Sequence, residues 1–234
     1  MFQFKQFSVD QSSCAMKINT DGVLLGAMTD ADNPKTILDI GTGTGVIALM
    51  LAQRFNAAKI DAVEIDEVAA KTTERNFKGS PFTERLSIYA TDFENYFDQF
   101  PERKYDLIVS NPPFYIASLK SPGAKKTLAK HTDINFFEKL IKYVSEHLTS
   151  EGSFWLILPA NISEMIVALA AGYFMHPNMI INIQSYRHSQ PHRVILCFGF
   201  DKVLVQITNF TIYKAVGIYS DEYQKLLKPY FIAF

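Results

Sequence analysis

Short runs of β-branched and aliphatic residues alternate along this chain with stretches in which apolar residues recur at helical spacing. Thr36 to Ile40, Lys59 to Val63, Leu86 to Ala90 and Tyr105 to Ser110 read as strands, each closed by turn residues. Between them Val46 to Phe55 reads as an apolar helix, and Glu67 to Lys78 as a helix capped by Asp66. Asn135 to His147 has the spacing of an amphipathic helix, Gly152 to Pro159 is a fifth apolar strand, and Ala160 to Ala171 reads as helix. Met179 to Gln184 and Arg193 to Phe200 are two strands joined only by Ser185 to His192, a connection that makes an antiparallel hairpin, expected at a sheet edge. Residues 203–213 read as a further strand and 220–230 as a closing helix. At the front, Phe2 to Lys17 lacks a helical period and reads as loop or short strand; Val23 to Met28 follows as a short helix with Thr20 or Asp21 as its cap. This order predicts an α/β fold with helices on both faces of a mostly parallel sheet. No linker, repeat or low-complexity tract divides it, so residues 1–234 read as one domain.

Polar residues gather where the strands end. Gly41-Thr42-Gly43-Thr44-Gly45 follows the first strand and opens a helix, a corner that lets a ligand approach the backbone closely. Alone it is shared with dinucleotide enzymes, but the spacing is G-x-G-x-G, and Asp39 inside the strand end would repel a pyrophosphate. Glu64, at the next strand end, is placed to accept from both ribose hydroxyls of a nucleoside. Asp92 at the third could accept from an adenine amino group with Phe93 over the ring, or it could simply cap a turn. The fourth strand runs into Asn111-Pro112-Pro113-Phe114. The prolines have no N–H to give, and Pro112 biases Asn111 away from the helical region. The Asn111 side-chain oxygen and the Pro112 carbonyl can both accept from one planar NH₂ group, with Phe114 stacked on its ring. Two such acceptors favour a pyramidal nitrogen whose lone pair is aimed at an electrophile. Asn-Pro-Pro is also an ordinary turn; ligands bind at the carboxyl ends of strands in open α/β sheets, and it is the convergence of all these ends that makes the pattern specific.

Charge adds two local features to a chain whose formal net charge is only −1. Lys120, Lys125, Lys126 and Lys130, then His131, follow the Asn-Pro-Pro corner with no acid between Asp106 and Asp133; without apolar periodicity the stretch reads as a loop that contacts phosphate. Arg187 and Arg193, with three histidines, fall in a second stretch without acids, from Glu164 to Asp201; the two arginines make a second positive patch expected to contact RNA, and the histidines read as loop residues. Cys14 and Cys197 have no metal-ligand spacing and read as reduced structural thiols, so no metal site is expected. The longest apolar stretch, Met165 to Met175, is too short to span a bilayer, and no targeting signal precedes the fold, which reads as cytoplasmic.

The alternating elements and strand-end motifs resemble a class I S-adenosylmethionine-dependent methyltransferase, which implies a Rossmann-like, mostly parallel seven-stranded sheet with an antiparallel edge hairpin. Phe4-Lys5-Gln6-Phe7, Cys14-Ala15-Met16-Lys17, Thr20 to Ala27, Asn111-Pro112-Pro113-Phe114 and Pro191-His192-Arg193-Val194 together resemble the bacterial valine-tRNA (adenine-37-N6) methyltransferase family, nearly end to end. That resemblance implies S-adenosylmethionine as donor and N6 of the adenosine just 3′ of a tRNA anticodon as acceptor. It implies that Gly41, Gly43 and Gly45 pass the methionine portion, Glu64 holds the ribose and Asp92 the adenine. Asp39 would shape the glycine turn, and Thr20 and Asp21, in an N-terminal segment 1–34, would close the pocket over a core of 35–234. Asn111 and Pro112 would hold the target amine and Phe114 its base, which must leave its stack to reach them. Relatives tend to carry arginine in the basic stretch, where this chain has Lys125, Lys126 and Lys130, keeping the charge without bidentate geometry. A monomer is favoured. A guanine-N2 rRNA methyltransferase and a protein glutamine-N5 methyltransferase use a similar corner; the second usually carries a separate helical domain, for which 35 residues before the first strand leave no room. A degenerate fold that only binds RNA is opposed by the intact glycines, Glu64 and Asn111, and a nicotinamide oxidoreductase by the glycine spacing.

Overall fold

The computed structural model describes residues 1–12, 14, 16–112 and 134–234 in full, and the backbone of 124–133 as part of a helix. The chain begins with β1 (Phe2–Gln3) and β2 (Ser8–Val9), a small separate antiparallel pair, followed by α1 (Thr20–Met28). Then come β3 (Thr36–Ile40), α2 (Val46–Arg54), β4 (Lys59–Glu64), α3 (Glu67–Lys78), β5 (Leu86–Ala90), α4 (Phe93–Gln99) and β6 (Tyr105–Ser110). After these lie α5 (Ala124–His147), β7 (Leu148–Pro159), α6 (Ser163–Ala171), β8 (His176–Gln184) and β9 (Arg193–Gly199). The chain closes with β10 (Gln206–Thr211), the short pair β11 (Tyr213–Ala215) and β12 (Ile218–Tyr219), and α7 (Asp221–Leu227).

The main sheet has the order β10-β8-β9-β7-β6-β3-β4-β5, parallel except where β9 runs against β7 and β8. Eight strands therefore replace the seven expected. The hairpin β8–β9 is antiparallel as expected but is not the edge, because β10 pairs in parallel along β8 and takes that place. Side chains alternate across the sheet. Ile37, Leu107, Val109, Trp155 and Ile157 face α1, α2 and α7, whereas Leu38, Ile108, Phe154, Leu156 and Leu158 face α4, α5 and α6. Burying mostly apolar strands on both faces fixes the register, since a one-residue slip would exchange the two sets.

That register aligns the strand ends. Ile40 pairs with Val63 on one side and Ser110 on the other, and Glu64 pairs with Ala90. The expected strands β3, β5 and β6 have the observed limits, and β4 runs one residue further, to Glu64. Two of the expected helices start earlier than predicted. The N-cap of α1 is Asn19, whose side chain accepts from the Gly22 amide at 2.9 Å, so Thr20 and Asp21 lie inside the first turn. The helix α5 starts at Ala124 instead of Asn135, which corrects the loop reading of Lys125, Lys126 and Lys130; Ala, Leu and Lys favour a helix even without an apolar stripe. Among the described residues no helix is long and apolar enough to cross a membrane, and no group of His, Cys, Asp or Glu side chains could hold a metal ion.

Candidate active site

Three glycines turn the chain from β3 into α2, and each has a left-handed backbone: φ is 72° at Gly41, 60° at Gly43 and 80° at Gly45. A Cβ at Gly41 or Gly43 would meet no heavy atom within 4 Å, so both backbones border open space. Gly45 differs, because its Cβ would lie 2.7 Å from Phe77 and 2.9 Å from Thr73 on α3. Two of the glycines thus leave room for a ligand, and the third leaves room for a helix.

The turn is held from below and from the side. The alternation of β3 directs Asp39 toward α2, where it is fully buried and its Oδ2 accepts from the Thr42 hydroxyl at 2.6 Å and the Ala48 amide at 3.2 Å. Its Oδ1 has no partner. Burial pushes the Asp39 pKa up to about 7; the bonds from Thr42 and Ala48 oppose the rise, and the Glu64 charge adds to it. Glu64, 8% exposed, accepts from the Gly43 amide through Oε2 at 2.8 Å and from the Asp66 amide through Oε1 at 2.9 Å. Thr73 donates to the Gly43 carbonyl at 2.7 Å. Asn76 donates to the carbonyls of Thr44 and Asp10, each at 2.9 Å, and accepts from the Asp10 amide at 2.8 Å, tying the N-terminal segment to the turn. Cys14 is buried close by; its thiol is raised by burial, eased by a hydrogen bond with Thr72 and raised again by the Glu64 charge. Cys14 and Cys197 are both free and buried, and the sequence reads them as reduced structural thiols.

Asp92 follows the end of β5 as the N-cap of α4, accepting from the Asn95 backbone amide at 2.8 Å and its side-chain amide at 2.6 Å. Phe93 is 8% exposed and edge-on to Phe136 and Tyr143 in the core beneath the sheet. At the end of β6, Ser110 donates to the Ile40 carbonyl at 3.0 Å, locking the two strand ends together. Asn111 is half-buried and Pro112 buried; Pro113 and Phe114 lie outside the described residues, as does Lys120. A Cβ on Gly22 would lie 3.6 Å from Asn111 Nδ2, so the first turn of α1 covers the corner.

An ion pair that local sequence does not reveal holds α1 there. Arg193 Nε donates to Asp21 Oδ2 at 2.7 Å, between side chains 29% and 17% exposed. The two residues are 172 apart in sequence, and only the sheet topology brings β9 to this end. Arg193, expected to meet RNA, thus spends its guanidinium on α1. The adjacent His192 is lowered in pKa, by burial first and then by Arg193. Arg187 is exposed in the turn before it. The structure therefore brings Asp39, Gly41, Gly43, Gly45 and Glu64 into one hydrogen-bonded unit and sets Asn111 against α1 beside it.

Comparison with known proteins agrees with this arrangement. The methyltransferase small domain family matches residues 14–171. A tRNA1(Val) (adenine(37)-N6)-methyltransferase of Pedobacter heparinus is 47% identical over 233 residues, which cover 100% of this chain and 98% of that protein. The protein of the same name in Bacteroides thetaiotaomicron is 39% identical over 232 residues, covering 99% and 97%. The crystal structure of a predicted O-methyltransferase from Agrobacterium tumefaciens superposes with a TM-score of 0.69 over 90% of this chain and 96% of its own, at 17% identity, a likeness of fold alone. On the match to the domain family and the nearly full-length identity together, the chain belongs to the tRNA1(Val) (adenine(37)-N6)-methyltransferase family of small-domain methyltransferases.

Proposed function

We propose that this protein methylates N6 of adenosine 37 in a valine tRNA, with S-adenosylmethionine as the donor. The observation that carries the reading is the near full-length similarity to enzymes of that name in a chain whose Asn111 corner stands beside an open glycine turn. The residues fit the donor. Gly41 and Gly43 leave the backbone bare for its methionine portion, and Asp92 stands at the strand end where its adenine would lie. Glu64 uses one acceptor site on each oxygen for a backbone amide, and a carboxylate has about four, so sites remain for the ribose hydroxyls. When bound, S-adenosylmethionine supplies a methyl group on a positively charged sulfur.

The chain's own contribution is positioning. The Asn111 side-chain oxygen and the Pro112 carbonyl accept the two hydrogens of the target amine, drawing its lone pair out of conjugation toward the glycine turn. Phe114 stacks on the base, and Asp21, held by Arg193, keeps α1 over the corner so that water is excluded. The amine nitrogen would form its bond to the methyl as the donor's S–C bond breaks, the sulfur leaving as a neutral thioether, and the proton released from nitrogen would pass to solvent as the products depart; no covalent intermediate with the enzyme is needed. The lysines at 120, 125, 126 and 130 meet RNA phosphates.

The test is methyl transfer from labelled S-adenosylmethionine to unmodified total tRNA, with nucleoside analysis of the product. N6-methyladenosine confined to one tRNA establishes the reading, whereas label in N2-methylguanosine or in protein overturns the substrate assignment and leaves the fold untouched. In the same assay Asn111→Ala is expected to lower single-turnover rate by roughly 10²–10³-fold, the cost of one preorganised hydrogen-bonding group at a reacting centre, with donor affinity retained. A variant with near-normal turnover would show that Asn111 does not hold the target amine.

A further inference from the structure

The turn between β8 and β9 ends at Arg193, and through the Arg193–Asp21 pair it stands on the rim of the Asn111 corner. At its outer end is Tyr186, 40% exposed. The ring is the last of a column of four. Tyr223 and Tyr219 stack at 4.5 Å and 7°, Tyr219 and Tyr213 stack at 5.2 Å and 20°, and Tyr186 caps Tyr213 at 5.8 Å with its ring tilted by 38°. Tyr223, 4% exposed, fixes the inner end of the column in the core, and the outer end opens to solvent.

The turn holds its shape through its own bonds. Ser189 donates its amide to the Tyr186 carbonyl at 2.9 Å, and the Tyr186 amide donates to Ser189 Oγ at 3.0 Å. Gln184 Nε2 donates to the Arg187 carbonyl at 3.2 Å, and the Tyr213 amide to the Ser185 carbonyl at 2.9 Å. Tyr186, Arg187 and His188 are thereby presented side by side, all exposed. Arg187 has no acid near it in sequence, since the chain carries none between Glu164 and Asp201. Of the carboxylates on flanking elements, Asp21 is paired with Arg193 at 2.7 Å, Asp221 with Lys214 at 2.8 Å, and Glu222 accepts from the Thr211 amide at 2.7 Å.

A rigid aromatic face beside an exposed guanidinium suits an unstacked base next to a phosphate. We infer that Tyr186, Arg187 and His188 form a docking surface for single-stranded RNA, on which a base of the substrate's loop extends the tyrosine column while Arg187 meets the backbone. An acidic protein would use the guanidinium without needing the ring. The inference rests on the tRNA reading above and adds to it a surface outside the reacting corner.

Binding of a fluorescently labelled, unmodified valine-tRNA transcript to the full chain tests it, alongside methylation of the same transcript. Tyr186→Ala is expected to weaken binding roughly 10-fold, the effect of losing one base–aromatic stack, and to raise the KM for tRNA in parallel while kcat stays. Tyr186→Phe keeps the ring and is expected to bind like wild type. Arg187→Ala is expected to flatten the slope of log affinity against log salt by about one. Phe174→Ala removes an aromatic residue that is 79% exposed at the opposite end of β8, and it controls for general loss of surface. If Tyr186→Ala binds and is methylated like wild type, or if only Arg187→Ala has an effect, the surface is overturned. If wild type fails to methylate the transcript yet binds it through Tyr186, the activity reading falls and the surface stands.

Discussion

The two ends of the central sheet both collect buried polar side chains, and they differ in whether those groups satisfy one another. At the amino end, Asp61 Oδ2 accepts from Tyr105 at 2.7 Å, Arg103 at 3.0 Å and Tyr96 at 3.1 Å. Arg103 also donates to Tyr96 and Tyr89, its guanidinium lies 3.7 Å from the Phe100 ring centroid, and the Tyr96 and Tyr105 hydroxyls bond each other. Burial, followed by the Asp61 charge for Tyr105, pushes the Tyr105 hydroxyl far above its ordinary range. A cleft of about 450 Å³ opens beside this network, yet Arg85 within it gives its donors to the carbonyls of Ala52, Phe55 and Ala58. The carboxyl end is the reverse. Asp39 Oδ1 is unpartnered, Glu64 has acceptor sites to spare, and Gly41 and Gly43 face open space. A closed network stabilises; an open one is prepared for something that arrives.

The contrast predicts opposite profiles for substitutions at the two ends. The largest effect is expected from Gly43→Ala. Its methyl would enter the space left for the ligand, so donor affinity measured by calorimetry should fall by at least about 10-fold, while left-handed strain removes only about 1–2 kcal/mol of stability. At the other end, Tyr105→Phe removes a buried hydroxyl bonded to a carboxylate and should remove about 2 kcal/mol, lowering Tm by roughly 4–8 °C, with kcat unchanged at temperatures where the fold is intact. Loss of kcat in that variant would break the distinction between the ends. A pH-dependent effect concerns Asp39. Its pKa is raised to about 7 in the fold and is near 4 in the unfolded chain, so the native state binds the proton more tightly. The stability this confers is full below about pH 4 and is lost as pH rises to about 7. Thermal melts should therefore show wild type losing stability over that interval more steeply than D39N, and parallel curves would show that Asp39 is not held in this way.

Much of this was legible in the sequence for a physical reason. The runs that became β3 and β6 are rich in β-branched and aliphatic residues, nearly all buried, and β5, though only half-buried, is likewise bounded by turn residues, so pattern and packing agree. Asp66 capped α3 as expected. What escaped was either short or non-local. The helix α4 is seven residues with three aromatics, too brief to show a period. Asn19 took the cap position because it precedes residues equally able to hold it. The Asp21–Arg193 pair and the addition of β10 beyond the hairpin depend on topology, which spacing along the chain does not encode. The Asp61 network did leave one signal: a carboxylate inside a strand, between Ile60 and Ala62, calls for a partner.

Asn76 carries a kinetic consequence. One side-chain amide clasps both faces of Asp10 and the carbonyl of Thr44, so the leading segment of the chain cannot detach without orphaning a buried donor beside the glycine turn. The two regions should therefore open together, and hydrogen exchange at the Asp10 amide and at the turn should slow as one cooperative unit when the donor binds, long before any RNA is present.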